Sequence, residues 1–166
     1  MNLSLFSDYS LRVLMYAALK NDVFQVDEVT EAYGISRHHV AKVVHSLSKL
    51  GYIETRRGRG GGIRLARSPE EIRIGRLVRA TEGGTAIVEC FDAATNTCRL
   101  NGSCRLKGAL AAAMNAFYQS LDCLTLCDLV TGPHLRRMSR TLLSVATPIV
   151  QPKPFKRGAK PSEVQP

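Results

Sequence analysis

Apolar residues recur at helical spacing near the start of the chain, at Leu11, Leu14, Met15 and Ala18. The spacing predicts a helix from Ser7 to about Lys20, capped by Ser7 or Asp8 and broken at Asn21-Asp22. Val26 to Tyr33 reads as a second, shorter helix stopped by Gly34. Ser36 caps a third, Arg37 to Leu50, which Gly51 closes. Its apolar face is Val40, Val43, Val44, Leu47 and Leu50. A different face carries His38, Lys42, His45 and Lys49, with Arg37 and His39 near the N-terminal end. Tyr52 to Thr55 then reads as a short strand. Ile63 to Ala66 alternates and returns as a second, and the glycine-rich stretch 56–62 joins them.

Two helices joined by a tight glycine turn, followed by a hairpin, make a winged helix-turn-helix. Beyond it, Ser68-Pro69-Glu70-Glu71 is a helix-start signature, Ile72 and Ile74 suggest a brief extended piece, and Gly75 to Thr81 suggests a short helix. Arg105 to about Leu124 is a long helix without proline. Its apolar seam is Leu106, Leu110, Ala113, Met114, Phe117, Leu121 and Leu124. A lone helix in a small domain needs something to cover that seam, and a homodimer is the expected answer. Thr125 to Val130 adds one more short turn, stopped by Gly132-Pro133. The expected fold is mainly α with a small β wing. Residues 1–83 form the winged helix-turn-helix with a connecting helix, 84–130 a cysteine loop and dimerisation helix, and 131–166 a C-terminal segment. Five of the seven prolines fall from Pro148 onward, among Lys, Arg, Gln and Ser, and predict disorder there.

Charge sharpens this picture. The formal net charge is +9, which suggests a polyanionic partner, with nucleic acid ahead of an anionic membrane surface. Arg56, Arg57, Arg59 and Arg64 lie within nine residues that contain no acid. A recognition helix needs a polar N-terminal half to reach base edges and an apolar face to hold it on the domain. Ser36, Arg37, His38, His39 and Lys42 supply the first. Arg56, Arg57 and Arg59 can neutralise phosphates or enter a minor groove, and Gly60 lets the backbone come close. The bland alternative is a solvated basic hairpin on an unrelated helical domain. The chain has no recognisable signal peptide and no membrane-length apolar run, so a cytoplasmic protein without membrane contact is expected. No Ser/His/Asp set, phosphate loop or paired-carboxylate pattern supports an enzyme.

Cysteine chemistry is concentrated between Gly84 and Lys107, where Cys90, Cys98 and Cys104 follow the spacing Cys-x7-Cys-x5-Cys. Asp92, Asn96, Asn101, Gly102 and Ser103 are turn formers, so this stretch should be a loop on which three thiols can converge. In a reducing compartment five cysteines argue against a disulfide framework. The residues alone leave several readings open: an iron–sulfur cluster or zinc, each one ligand short, or three ordinary thiols. Cys123 and Cys127, four apart at the end of the long helix, read as small packing residues. Asp8 reads as an acid favoured by the positive end of its helix.

Together these segments resemble the Rrf-type family of winged-helix transcription regulators, from about Met1 to Val130. The likeness rests on FSDYSLRVLMYAA, ISRHHVAKVVHSLSKLGYIETRRGRGGGIRLA and VECFDAATNTCRLNGSCRLKGAL, and within the family it favours the nitric-oxide-sensing repressors. The resemblance implies a homodimer with one iron–sulfur cluster per subunit, 4Fe-4S favoured over 2Fe-2S, on Cys90, Cys98 and Cys104. It implies that Asp8 supplies the remaining ligand from the other subunit. It further implies binding to double-stranded operator DNA, and release when nitric oxide attacks the cluster. An iron-responsive or cluster-status regulator of the same fold is the sibling reading, and a clusterless thiol or zinc regulator a further one.

Overall fold

The computed structural model describes residues 3–58, 60–83, 87–100 and 102–144. Arg59 and the tail expected to be disordered from about residue 148 lie outside them. The first helix, α1 (Leu5–Lys20), starts earlier than its apolar spacing suggests, because Ser4 is the cap: its Oγ accepts the Ser7 N–H at 3.1 Å. Neither Ser7 nor Asp8 caps it. Ser7 is buried instead, its hydroxyl sharing a 2.7 Å hydrogen bond with Thr81. Asp8 sits in the first turn, where a negative charge suits the helix dipole.

After α1 come α2 (Val26–Tyr33) and α3 (Arg37–Lys49), separated by Gly34 in the left-handed region at φ 64°. A tight hairpin follows, β1 (Ile53–Arg56) against β2 (Gly62–Leu65), antiparallel with Ile53 opposite Leu65 and Arg56 opposite Gly62. Phe24 extends this sheet by one bridge: it exchanges two backbone hydrogen bonds with Ile63, at 3.0 and 2.8 Å. Side-chain alternation in the hairpin gives no hint of that third partner. A Cβ at Gly62 would press into the Phe24 carbonyl and the Val23 side chain, so this close approach requires glycine.

The chain continues through a 3-10 turn, Pro69–Glu71, into α4 (Ile74–Glu82), longer than the expected Gly75–Thr81. After the cysteine loop come α5 (Arg105–Asp122), α6 (Leu126–Val130) and α7 (Leu135–Leu143). The extended piece at Ile72–Ile74 pairs with the start of α6. The Ile74 N–H donates to the Leu124 carbonyl at 3.0 Å and the Leu126 N–H to that of Ile72 at 2.8 Å. The helix α7 goes beyond the sequence reading, which left residues from 131 onward without an element. It carries Leu142 and Leu143 onto the core and keeps Arg136, Arg137 and Arg140 exposed.

The core is one cluster. Val13, Leu14, Tyr16 and Ala17 of α1 meet Val29, Val40, Val43, Leu47, Ile53, Ile63, Leu77 and Leu126. Fully burying one such aliphatic side chain is worth about 1.5–3 kcal/mol. The helix α1 is the hub, in contact with α2, α3, α4, α6, α7 and β2. By contrast, none of the 18 residues of α5 is buried. Only its C-terminal end leans on the core, through Tyr118 and Leu121. There Arg79 of α4 donates twice to Asp122, at 2.8 and 2.6 Å, and stacks 4.6 Å from the Tyr118 ring centre. Those hydrogen bonds hold the Asp122 carboxyl below its usual range. Gly75 lets the two helices touch, since a Cβ there would collide with Asp122. Leu106 is 65% exposed and Ala113 is exposed, while Leu110, Met114, Phe117 and Leu121 are half-buried, so the apolar seam predicted on α5 is only partly covered in the single chain.

Candidate nucleic-acid interface and cysteine loop

The helix α3 divides as its sequence demands except at Leu50, which falls just beyond the helix as its C-cap and is exposed. Val40, Val43, Val44 and Leu47 are buried, while Arg37, His38, His39, Lys42, His45 and Lys49 are exposed. Ser36 caps the helix: its Oγ accepts the His39 N–H at 3.4 Å and shares a 3.0 Å hydrogen bond with His39 Nδ1. The His39 ring lies 5.9 Å from that of Tyr9 on α1. Arg37, the first residue of α3, donates from Nε to Asp27 of α2 at 2.7 Å. The wing places Arg56 and Arg57 at the exposed hairpin tip. Gly60 stands beside them at φ 78° with open space around it. Although the basic run itself contains no acid, the facing strand brings Glu54 to Arg64 at 2.5 Å. Ser36, Arg37, His38, His39, Lys42, Arg56, Arg57 and Gly60 thus all lie on exposed surface of the helix-and-wing unit.

The first turn of α2 ties this unit together. Gln25 Nε2 donates to the Gly61 carbonyl in the wing at 2.7 Å. Glu28 accepts from Tyr16 at 3.0 Å and Lys20 at 2.9 Å, both on α1, and from the Gln25 N–H at 2.9 Å. Burial pushes the Glu28 carboxyl up, but these hydrogen bonds outweigh it and hold it below the usual range. Sequence reading missed Gln25, Asp27 and Glu28. The Gln-x-x-Glu spacing of a capping box was available as a signal for two of them, whereas nothing in sequence links Asp27 to a residue ten positions on.

The cysteine loop is built differently. Cys90 lies half-buried in a 3-10 turn, Glu89–Phe91; Cys98 is exposed; Cys104 is half-buried as the N-cap of α5, its Sγ accepting the Lys107 N–H at 3.4 Å. Local bonds shape the backbone between them. Asp92 accepts from Ala94 N–H and the Thr95 hydroxyl at 2.9 and 3.0 Å, and Asn96 from the Cys98 N–H at 3.0 Å. Glu89 accepts from the Thr97 N–H and hydroxyl at 2.5 and 2.7 Å, which holds its carboxyl below the usual range.

All three thiols are free, so the donor set has the chemistry of a cluster site. Yet no group of three or more His, Cys, Asp or Glu side chains among the described residues lies close enough to hold a metal ion. The single chain therefore does not gather Cys90, Cys98, Cys104 and Asp8. Asp8 is paired within its own helix, accepting from Arg12 Nε at 3.1 Å and Nη2 at 2.8 Å, and its side chain is 38% exposed. Arg12 in turn lies 5.7 Å from the ring centre of Tyr33, the last residue of α2. Away from the loop, Cys123 is exposed rather than packed. Cys127 is half-buried, and the neighbouring Glu70 carboxylate pushes its thiol up.

No helix among the described residues is long and apolar enough to cross a membrane. The sequence profile of the Rrf2 family, described as an iron-dependent transcriptional regulator, matches residues 3–132. The chain is 52% identical over 132 residues to the HTH-type transcriptional regulator NsrR of Shouchella clausii, covering 78% of this chain and 89% of that protein. Among solved structures it is similar to IscR of T. potens, with a TM-score of 0.62 at 20% identity over 78% of this chain and 86% of that one. It is also similar to CymR, the global cysteine regulator of B. subtilis, with a TM-score of 0.62 at 23% identity over 78% and 95%. At those identities the two structures speak to the fold alone: a mostly helical winged-helix fold with a small sheet.

Proposed function

We propose, because the chain belongs to the Rrf2 family of transcriptional regulators, that it is a homodimeric repressor that responds to nitric oxide through an iron–sulfur cluster. In this reading α3 enters the major groove of operator DNA, so that Arg37, His38, His39 and Lys42 face the bases. Arg56, Arg57 and Arg59 of the wing take phosphates or the minor groove. The apolar seam of α5 packs on the same seam of a second copy, which sets the two reading helices on a two-fold operator.

Cys90, Cys98 and Cys104 would hold the cluster, and Asp8 would complete the set from the second copy. Three sulfurs and one carboxylate supply one ligand for each iron of a four-iron cluster, which favours 4Fe-4S. A cluster held there would supply iron that nitric oxide can bind, most readily at the iron with the harder carboxylate ligand. The remaining steps belong to the protein. The Asp8–Arg12 pair is partly exposed, and such pairs contribute about 0–1 kcal/mol, so Asp8 can exchange this partner at small cost. Arg12 lies over Tyr33 at the turn between α2 and α3. A change of partner at Asp8 is therefore felt beside the recognition helix, which gives one element two arrangements that a signal can bias.

The observation that carries this reading is the presence of three free thiols on one loop outside the core, in a chain whose described reading helix and wing strands are packed on that core. The full-length protein purified without oxygen should be coloured and should shift operator DNA. Added nitric oxide should release the DNA, and Cys98→Ala should remove the colour. A colourless zinc protein would overturn the cluster. Release by iron depletion but not by nitric oxide would assign the chain to iron sensing instead.

A further inference from the structure

The first turn of α2 sends three side chains to three different elements: Gln25 to the wing, Glu28 to α1, and Asp27 to Arg37 on α3. The first two bonds fix the position of that turn. The third has another character. Its side chains are 69% and 62% exposed, and an ion pair so open to water adds little to folding. Its consequence is geometric. A single Asp27 oxygen takes the Arg37 Nε, and no described residue takes up the two terminal nitrogens. Arg37 opens the helix, at the end from which a recognition helix reaches base edges. Held at Nε, the guanidinium presents its outer edge, two N–H donors at the spacing that matches O6 and N7 of guanine.

We propose that Asp27 is a positioning residue for base readout, and that the Asp27–Arg37 pair makes guanine the preferred base at one position of each half-site. The proposal rests on α3 being the helix that enters the major groove. An unsupported arginine samples many rotamers and must be ordered as it binds. One already held at Nε loses less freedom, and discriminates against the wrong base by more of the roughly 5- to 150-fold that a good bidentate contact can supply.

Duplexes selected from a random library by the full-length protein, purified without oxygen, provide the probe. Each position of a recovered duplex is then substituted and bound to wild type, Asp27→Ala, Asp27→Glu and Arg37→Ala. Arg37→Ala should abolish the guanine preference at one position. Asp27→Ala should lower it there by roughly fivefold or more, with other positions and the melting temperature little changed, and Asp27→Glu should recover part of it. A purely structural role would instead weaken all duplexes alike and lower the melting temperature. The proposal is overturned if Asp27→Ala keeps the preference, or if it tightens every duplex equally, which would make Asp27 a mere competitor of phosphate. Should Arg37→Ala leave every base preference intact, the placement of α3 in the groove falls, and the proposal with it.

Discussion

Between Ile35 and Ile63 the buried positions Val40, Val43, Val44, Leu47, Tyr52 and Ile53 hold the reading helix and wing on the core. Between Ile87 and Cys104, by contrast, no described residue is buried. The two regions also differ in the reach of their bonds. The reader uses bonds that span elements, such as Phe24 to Ile63, Gln25 to Gly61 and Tyr16 to Glu28. The cysteine loop uses bonds within eight residues, such as Glu89 to Thr97 and Asp92 to Ala94. A surface that must match DNA gains from being built in advance, because ordering it on binding costs affinity. A cluster bound as proposed would add order to the cysteine loop, whose fold in the single chain rests on short-range contacts.

That contrast can be broken by substitution. The largest effect is expected from Leu47→Ala in the buried face of α3, which should cost about 2–5 kcal/mol in chemical unfolding. Loss of operator binding should accompany it. A cost under about 1 kcal/mol would mean that the reader is not core-supported. Gly62→Ala should cost about 1–3 kcal/mol, because the added methyl meets the Phe24 carbonyl and must separate that bridge from the wing.

Tyr33 sharpens the comparison from the other side. Its hydroxyl is buried with no hydrogen-bond partner among the described residues, and burial pushes its pKa up to about 12. Neutral Tyr33 is thus favoured by the folded state. Its contribution is fully present below the ordinary tyrosine pKa of about 10 and is lost as pH rises through about 12. Tyr33→Phe should leave the neutral protein as stable or about 1 kcal/mol more stable. It should also flatten part of the alkaline loss of stability, measured as melting temperature against pH. An unchanged alkaline profile would assign the loss to other groups. The smallest effect is expected from Cys98→Ser in the metal-free protein. The side chain is exposed, so unfolding free energy should move by less than about 0.5 kcal/mol. A larger change would mean that the loop is part of the cooperative fold.

Much of the reader was legible in the sequence because each of its elements declares itself locally. A 3.6-residue period, a cap and a closing glycine mark α2 and α3, and alternation marks the strands. Errors arose where a local rule admitted two answers. Ser4 and Ser7 are both competent caps, and the choice went to Ser4 because Ser7 is drawn to Thr81, more than seventy positions away. The helix α7 carries Met138 and Leu142 at helical spacing, but its three arginines and the proline-rich stretch beyond hid it. The donors of the candidate cluster were also readable as residue types at a spacing. Their convergence was not, since the folded single chain does not bring three of them together to hold a metal ion.

The sequence by itself determined the order of helices and strands, which face of α3 is apolar, where the positive charge lies, and that three thiols share one loop. These follow from periodicity and side-chain chemistry, which act over a few residues. Only the tertiary structure decided that α1 is the hub and that Phe24 completes the wing's sheet. It alone decided that Gly75 must be glycine because Asp122 lies against it, and that Asp27 holds Arg37 while Arg12 holds Asp8. Those facts depend on which surfaces meet when the core closes. Packing chooses among many pairings of elements that are equally acceptable one at a time.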